Sequence, residues 1–178
     1  MHLHLHAGNL IIAEANRASV VDLREGNDIG GDSRSGRGIV FTIGYEGRSS
    51  DSFRSTLVDN DIGRMVDVRQ MPRSRKPGFS KRSLSHLLSE SGIEYIHMEL
   101  LGSPRAAREK LKETGDLSSF LDSYKKHLVS VSAGINTLVR LADEMPTAIM
   151  CLERDASKCH RSVIAARLRE LGFEVKDL

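Results

Sequence analysis

The sequence predicts an α/β protein built on an open, three-layer sheet. Three observations lead there. From residue 39 onward, short apolar runs alternate with stretches of helical periodicity, the pattern of a mainly parallel sheet with helices on both faces. About five strand runs can be counted, too few for an eight-stranded barrel. The polar chemistry gathers in the segments that follow strand runs, which is where ligands sit in open α/β sheets.

Taken in order, IVFTI (39–43) reads as a buried first strand. Ser49 or Ser50 then caps a helix carrying Phe53, Leu57 and Val58 on one face. RMVDV (64–68) is the second strand. The run 83–92 spaces Leu84, Leu87 and Leu88 as a helix does and stops at Gly92. IEYIHM (93–98) is the third strand. SPRAAREKLKETG (103–115) has Ser103 at the cap, Pro104 at the first helical position and Gly115 at the end. Residues 117–144 give one or two helices through Phe120, Leu121, Tyr124 and Leu128, then Ile135, Leu138, Val139 and Leu141. TAIMCL (147–152) is the fourth strand. Residues 157–172 form a helix with Ile164, Leu168 and Leu171 inward, and FEVKDL supplies a fifth strand.

Residues 1–38 differ from the rest. His2, His4 and His6 alternate with leucine, and side chains two apart on an extended strand share a face that could hold a metal. A leader or an overlong start explains the same pattern. Residues 24–38 are Gly, Ser and charge, the composition of a flexible linker. The organisation expected is therefore a flexible extension, 1–38, and a single α/β domain, 39–178.

At 178 residues the chain can bury a real core, and with no Trp that core must be largely aliphatic. No apolar run approaches the roughly 20 residues of a membrane span. The N-terminus lacks the charged-then-apolar order of a signal peptide. Two cysteines make no disulfide framework, so a cytoplasmic protein with free thiols and no membrane partner is expected. Residues 64–82 hold seven Lys or Arg and one acid, Asp67. That local charge of +6, in a chain whose net charge is +2, suggests an anionic partner for one face.

Four blocks, TIGYEGRS, VDVRQMPRSRKPGFSK, GIEYIHMELLGSP and CLERDASKCHR, resemble in order and spacing a family of bacterial and archaeal proteins catalogued as domain of unknown function 488. Its members read T-[IV]-G-[YH] at the first strand, then V-D-V-R-x-x-P-x-S-R with G-F-[SN] shortly after, then C-x-E in a strand followed by C-H-R. The likeness spans roughly residues 39–176. It implies a Rossmann-like α/β domain and brings no settled activity, substrate or cofactor.

The residues themselves suggest a site. Asp67 and Arg69 lie two apart at the end of the second strand, so they share a side: a structural ion pair, or an arginine fork facing phosphate with Asp67 orienting it. Arg73, Arg75 and Lys81 project from a loop stiffened by Pro72 and Pro77, and Phe79 could stack on a base or join the core. GYEGRSS is neither a dinucleotide fingerprint nor a P-loop, yet its amides could hold a phosphate. Within it Tyr45 could bond a ligand and Glu46 could act as a base.

The sharpest cluster is Glu153, Cys159, His160 and Arg161. With Ser157 as the cap, Cys159 falls in the first turn of the last helix, where the dipole and nearby cations favour thiolate. The Cys-phosphatase pattern is absent, because Ser157 and Ala165 stand where an arginine would follow Cys151 or Cys159. Cys151, Glu153, Cys159 and His160 are zinc-type ligands. Adjacent residues of a helix diverge by about 100°, however, so no metal is assigned. His97 has two readings, an acid or base and a structurally satisfied imidazole.

The reading that results is an anion-recognition site at the strand ends, lined by Arg69, Arg73, Arg75, Lys81 and Arg161 and supported by Tyr45 and Asp67. Its ligand is phosphate-bearing, a nucleotide or nucleic acid. If the protein is an enzyme, phosphoester or nucleotide chemistry is expected, with Cys159, His160, Glu153 and Glu46 as catalytic candidates. The competitors are a non-catalytic nucleic-acid-binding module and a thiol-dependent redox or transfer protein using Cys159. No cofactor can be named.

Overall fold

A computed structural model describes residues 36–178. The His2, His4 and His6 alternation and most of the expected extension lie outside the described residues. Arg37, at the end of the stretch read as linker, donates its backbone N–H to the Gly172 carbonyl at 3.0 Å.

The strands are β1 (Ile39–Gly44), β2 (Arg64–Asp67), β3 (Glu94–His97), β4 (Thr147–Cys151) and β5 (Glu174–Asp177). All pair in parallel, in the order β3-β2-β4-β1-β5. Both inner neighbours meet β4 in the same register, with Val40 and Arg64 each opposite Thr147. The helices are α1 (Ser50–Val58), α2 (Lys81–Ser89), α3 (Arg105–Thr114), α4 (Leu117–Ser130), α5 (Ser132–Glu144) and α6 (Arg161–Glu170). The stretch 117–144 is thus two helices, broken at Val131. No helix among the described residues is long and apolar enough to cross a membrane.

Strand alternation divides the core. Ile43, Met65, Ala148 and Met150 face α1 and α2, where Phe53, Leu57, Leu84 and Leu88 pack on them. Val40, Val66, Ile149 and Cys151 face the other way, onto Tyr124, Leu128, Leu138, Ile164 and Leu168. Each such fully buried side chain contributes about 1.5–3 kcal/mol. The result is an α/β three-layer sandwich. Ser49 caps α1 as expected, its Oγ accepting from the Ser52 N–H at 3.1 Å.

Two features place the site. β1 feeds α1 on one face, while its neighbour β4 feeds α6 on the other, so a crevice opens at their carboxyl ends. Gly44 ends β1 where a Cβ would lie 1.9 Å from the Glu153 carbonyl oxygen, so only glycine lets the two strand ends approach.

Candidate functional site

Asp67 and Arg69 share one side of β2, as the spacing predicts, and consume each other. The Arg69 guanidinium grips Asp67 through Nε at 2.9 Å and Nη2 at 2.5 Å. Asp67 also accepts from the Arg69 backbone N–H at 3.0 Å and the Tyr95 hydroxyl at 2.6 Å. The remaining Arg69 nitrogen, Nη1, donates to the Tyr45 hydroxyl and the Phe79 carbonyl. Tyr45 stacks on Phe79 with ring centroids 4.4 Å apart, and both are buried. Burial works against the Arg69 cation, but Asp67 more than offsets it and holds its pKa above the ordinary value. The fork expected to face an anion is thus spent inside a buried knot, and Phe79 is core.

The entrance to α6 also differs from the expectation. Residues 156–158 form a 3-10 turn capped by Asp155, whose Oδ1 accepts from the Ser157 N–H at 2.9 Å. Cys159 follows in extended backbone (φ −131°, ψ 151°), outside the helix, and α6 begins only at Arg161. Thus Ser157 does not cap the helix, and Cys159 is not in its first turn. Arg161 is buried rather than facing the crevice. It donates to the Thr42 hydroxyl at 2.6 Å and to the Glu153 carbonyl, pinning the Glu153 loop to β1.

This backbone brings Cys151, Cys159 and His160 together. Their sulfurs and a ring nitrogen lie within 4.8 Å of one another, and all three residues are buried. Nδ1 of His160 is 3.5 Å from the Cys159 sulfur and 4.0 Å from that of Cys151. Nε2 is 2.9 Å from the Val68 carbonyl, which can only accept, so Nε2 carries a proton. The Cys151 thiol lies 3.3 Å from Glu153 Oε2. Hydrogen bonds from Cys151 and His160, with the nearby His160 and Arg161 charges, hold the Cys159 thiol well below the ordinary thiol range despite burial. The same bond to Cys159, together with burial, drives Cys151 up. Burial and the Cys159 charge raise the Glu153 carboxyl. For His160, burial opposes the cation but the Cys159 thiolate prevails, and its pKa rises.

A cavity of about 280 Å³ opens beside this trio. Arg73, Arg108, Lys112 and Lys158 line it, along with Arg69, Tyr45, Gln70 and Ser103. Among the described residues, Glu153 is the one carboxylate in its wall. Two buried polar atoms there, Ser103 Oγ and Arg108 Nε, have no hydrogen-bond partner among the described residues. Arg75, on the same loop as Arg73, and Lys81, the first residue of α2, do not line the cavity. Glu46 is exposed and spends its carboxylate on the Arg154 N–H at 3.1 Å. His97 binds the Arg69 carbonyl through Nε2 at 2.9 Å.

Sequence reasoning missed Ser103, Arg108, Lys112 and Lys158. A signal existed: Arg108 and Lys112 are four apart, hence on one face of α3, a helix that buries none of its own residues.

A protein-family model, Domain of unknown function DUF488, matches residues 49–168. The chain belongs to the DUF488 family. The match covers most of the constellation just described, from the α1 cap at Ser49 to Leu168 near the end of α6, while Tyr45 and Glu46 fall just before it. No curated protein and no solved structure matches the chain. Membership brings no activity with it, so the chemistry rests on the DUF488 residues themselves.

Proposed function

We propose that the cavity at the carboxyl ends of β1, β2 and β4 binds a small phosphate-bearing molecule, a nucleotide or a terminal nucleotide phosphate. One observation carries this reading: four cationic side chains, Arg73, Arg108, Lys112 and Lys158, line a cavity in whose wall Glu153 is the single carboxylate among the described residues. Arg73, Arg108 and Lys112 form no ion pair among the described residues, so their charge is available to a ligand. The unpartnered Ser103 hydroxyl and Arg108 Nε add donors suited to phosphate oxygens. At about 280 Å³ the space takes a phosphate with its sugar or base, below the roughly 300 Å³ at which drug-sized sites begin. Chemistry on the phosphoester is the matching activity, with Glu153, Cys159 and His160 in the wall. Two free thiols suit a reducing cytoplasm.

A nucleic-acid-binding module is the second reading. The exposed Arg75, Lys81 and Arg82 favour it, although Phe79 is buried and gives a base nothing to stack on. Calorimetric titration with inorganic phosphate, a nucleoside monophosphate and a short oligonucleotide, at several salt concentrations, tests both. The monophosphate is expected to bind with a shallow salt dependence. Replacing Arg73 and Lys112 by alanine should weaken it by at least ~10-fold, since a hydrogen bond to a charged group contributes about 1.5–3 kcal/mol. Oligonucleotide binding with a steep salt slope, lost on replacing Arg75 and Lys81 instead, favours the module. No binding of any of the three overturns both.

A further inference from the structure

We propose that Cys151, Cys159 and His160 form a zinc site, three protein ligands whose fourth coordination position is left to a molecule in the cavity they line. The inference does not rest on the phosphate reading, because it uses different residues and a different observation.

The objection from sequence was geometric: adjacent residues of a helix point about 100° apart. The structure removes it. Cys159 is extended and His160 turns into the helix, at φ −56° and ψ −19°. That kink aims both side chains at one point, beside Cys151 at the end of β4. A tetrahedral zinc, with bonds of about 2.3 Å to sulfur and 2.0–2.1 Å to nitrogen, fixes sulfur-to-nitrogen edges of roughly 3.6 Å. The observed edges are 3.5 and 4.0 Å. These contacts are long and soft as hydrogen bonds but close to that tetrahedral edge.

The surroundings fit as well. Zinc-binding imidazoles usually donate their other N–H to a carbonyl or carboxylate, which fixes the tautomer. His160 does this through Nε2 to Val68, so Nδ1, which faces the two sulfurs, is the nitrogen that would give up its proton to a metal. Glu153 stands against Cys151 at 3.3 Å, placed to exchange protons with a water on the metal. Three ligands facing a cavity is the arrangement of reactive zinc sites; structural ones close all four positions with protein. The cavity cations would bring an anionic ligand to that open position.

The test uses the full chain. Metal content is measured on protein expressed with zinc in the medium. The metal-free protein is then titrated with cobalt(II) and followed by absorption. The expected result is one zinc ion per chain, and for cobalt the strong visible bands of tetrahedral coordination with sulfur-to-metal charge transfer. Cys151→Ser and Cys159→Ser, nearly isosteric and checked for folding by circular dichroism, should each weaken zinc by more than the roughly 10- to 100-fold that a lost supporting partner costs. A folded protein with no stoichiometric zinc and no cobalt charge transfer overturns the site. So does an unchanged cobalt spectrum in a folded serine variant. Either outcome leaves phosphate binding standing, and loss of phosphate binding in the Arg73 and Lys112 variant leaves the zinc site standing.

Discussion

At the scale of single residues, the decisive question for each charged group is whether its bonds are already spent. The sequence correctly places Asp67 and Arg69 on one side of β2. It does not reveal that Tyr95, Tyr45 and the Phe79 carbonyl complete the pair, because those partners arrive from other strands and loops. A prediction follows from that closure. Arg69→Met leaves the Asp67 carboxylate buried and without its cation, and should cost about 3–5 kcal/mol in urea unfolding. Converting both, Asp67→Leu with Arg69→Met, removes two desolvated charges together and should cost less than the single change. A direct ligand role for Arg69 would instead show as lost phosphate affinity at unchanged stability.

At the scale of elements, the sequence shows most of the helices and strands and misplaces some junctions, above all the entrance to α6. Ser49 and Gly115 mark helix ends where the structure has them, but α2 ends at Ser89, short of Gly92, and α3 begins at Arg105 after Pro104, with no cap from Ser103. The segment 156–161 misleads because a 3-10 turn, an extended residue and a helix start use the same polar residues as one continuous helix would. Asp155, a better cap than Ser157 by position, starts the shorter turn, and Cys159 is freed from the helix by that choice. Gly44 sets a second constraint between elements. Gly44→Ala would drive a Cβ into the Glu153 backbone, so the β4 loop must shift. Overpacking of this kind costs typically 1–3 kcal/mol. Because Arg161 fastens the same loop, the substitution should also reduce cobalt charge-transfer intensity, a readout that separates it from a change in stability alone.

At the scale of the whole molecule, the fold class was legible because alternating strands and helices leave few architectures open. The cavity wall was not. Arg108 and Lys112 reach the site only because β3 lies next to β2 at one edge and the chain then crosses to β4, laying α3 over the crevice. Sequence distance gives no hint of that crossing. The same strand order governs how the protein comes into being. β1 and β2 never touch each other in the sheet; each pairs with β4, so β4 alone joins the two halves. Among the described residues, three strands and five helices precede β4 along the chain. Pairing across such separations is slow. Pulse-labelled hydrogen exchange during refolding should therefore show the amides of β1, whose two partners are β4 and β5, gaining protection together with those of β4, and no earlier; early protection of β1 alone would refute this. During synthesis, the chain short of residue 147 holds a β2–β3 pair and a solitary β1, since β5 also follows β4, with bare edges and exposed aliphatic faces. The central place of β4 thus makes the nascent chain, rather than the finished protein, the form most in need of a chaperone.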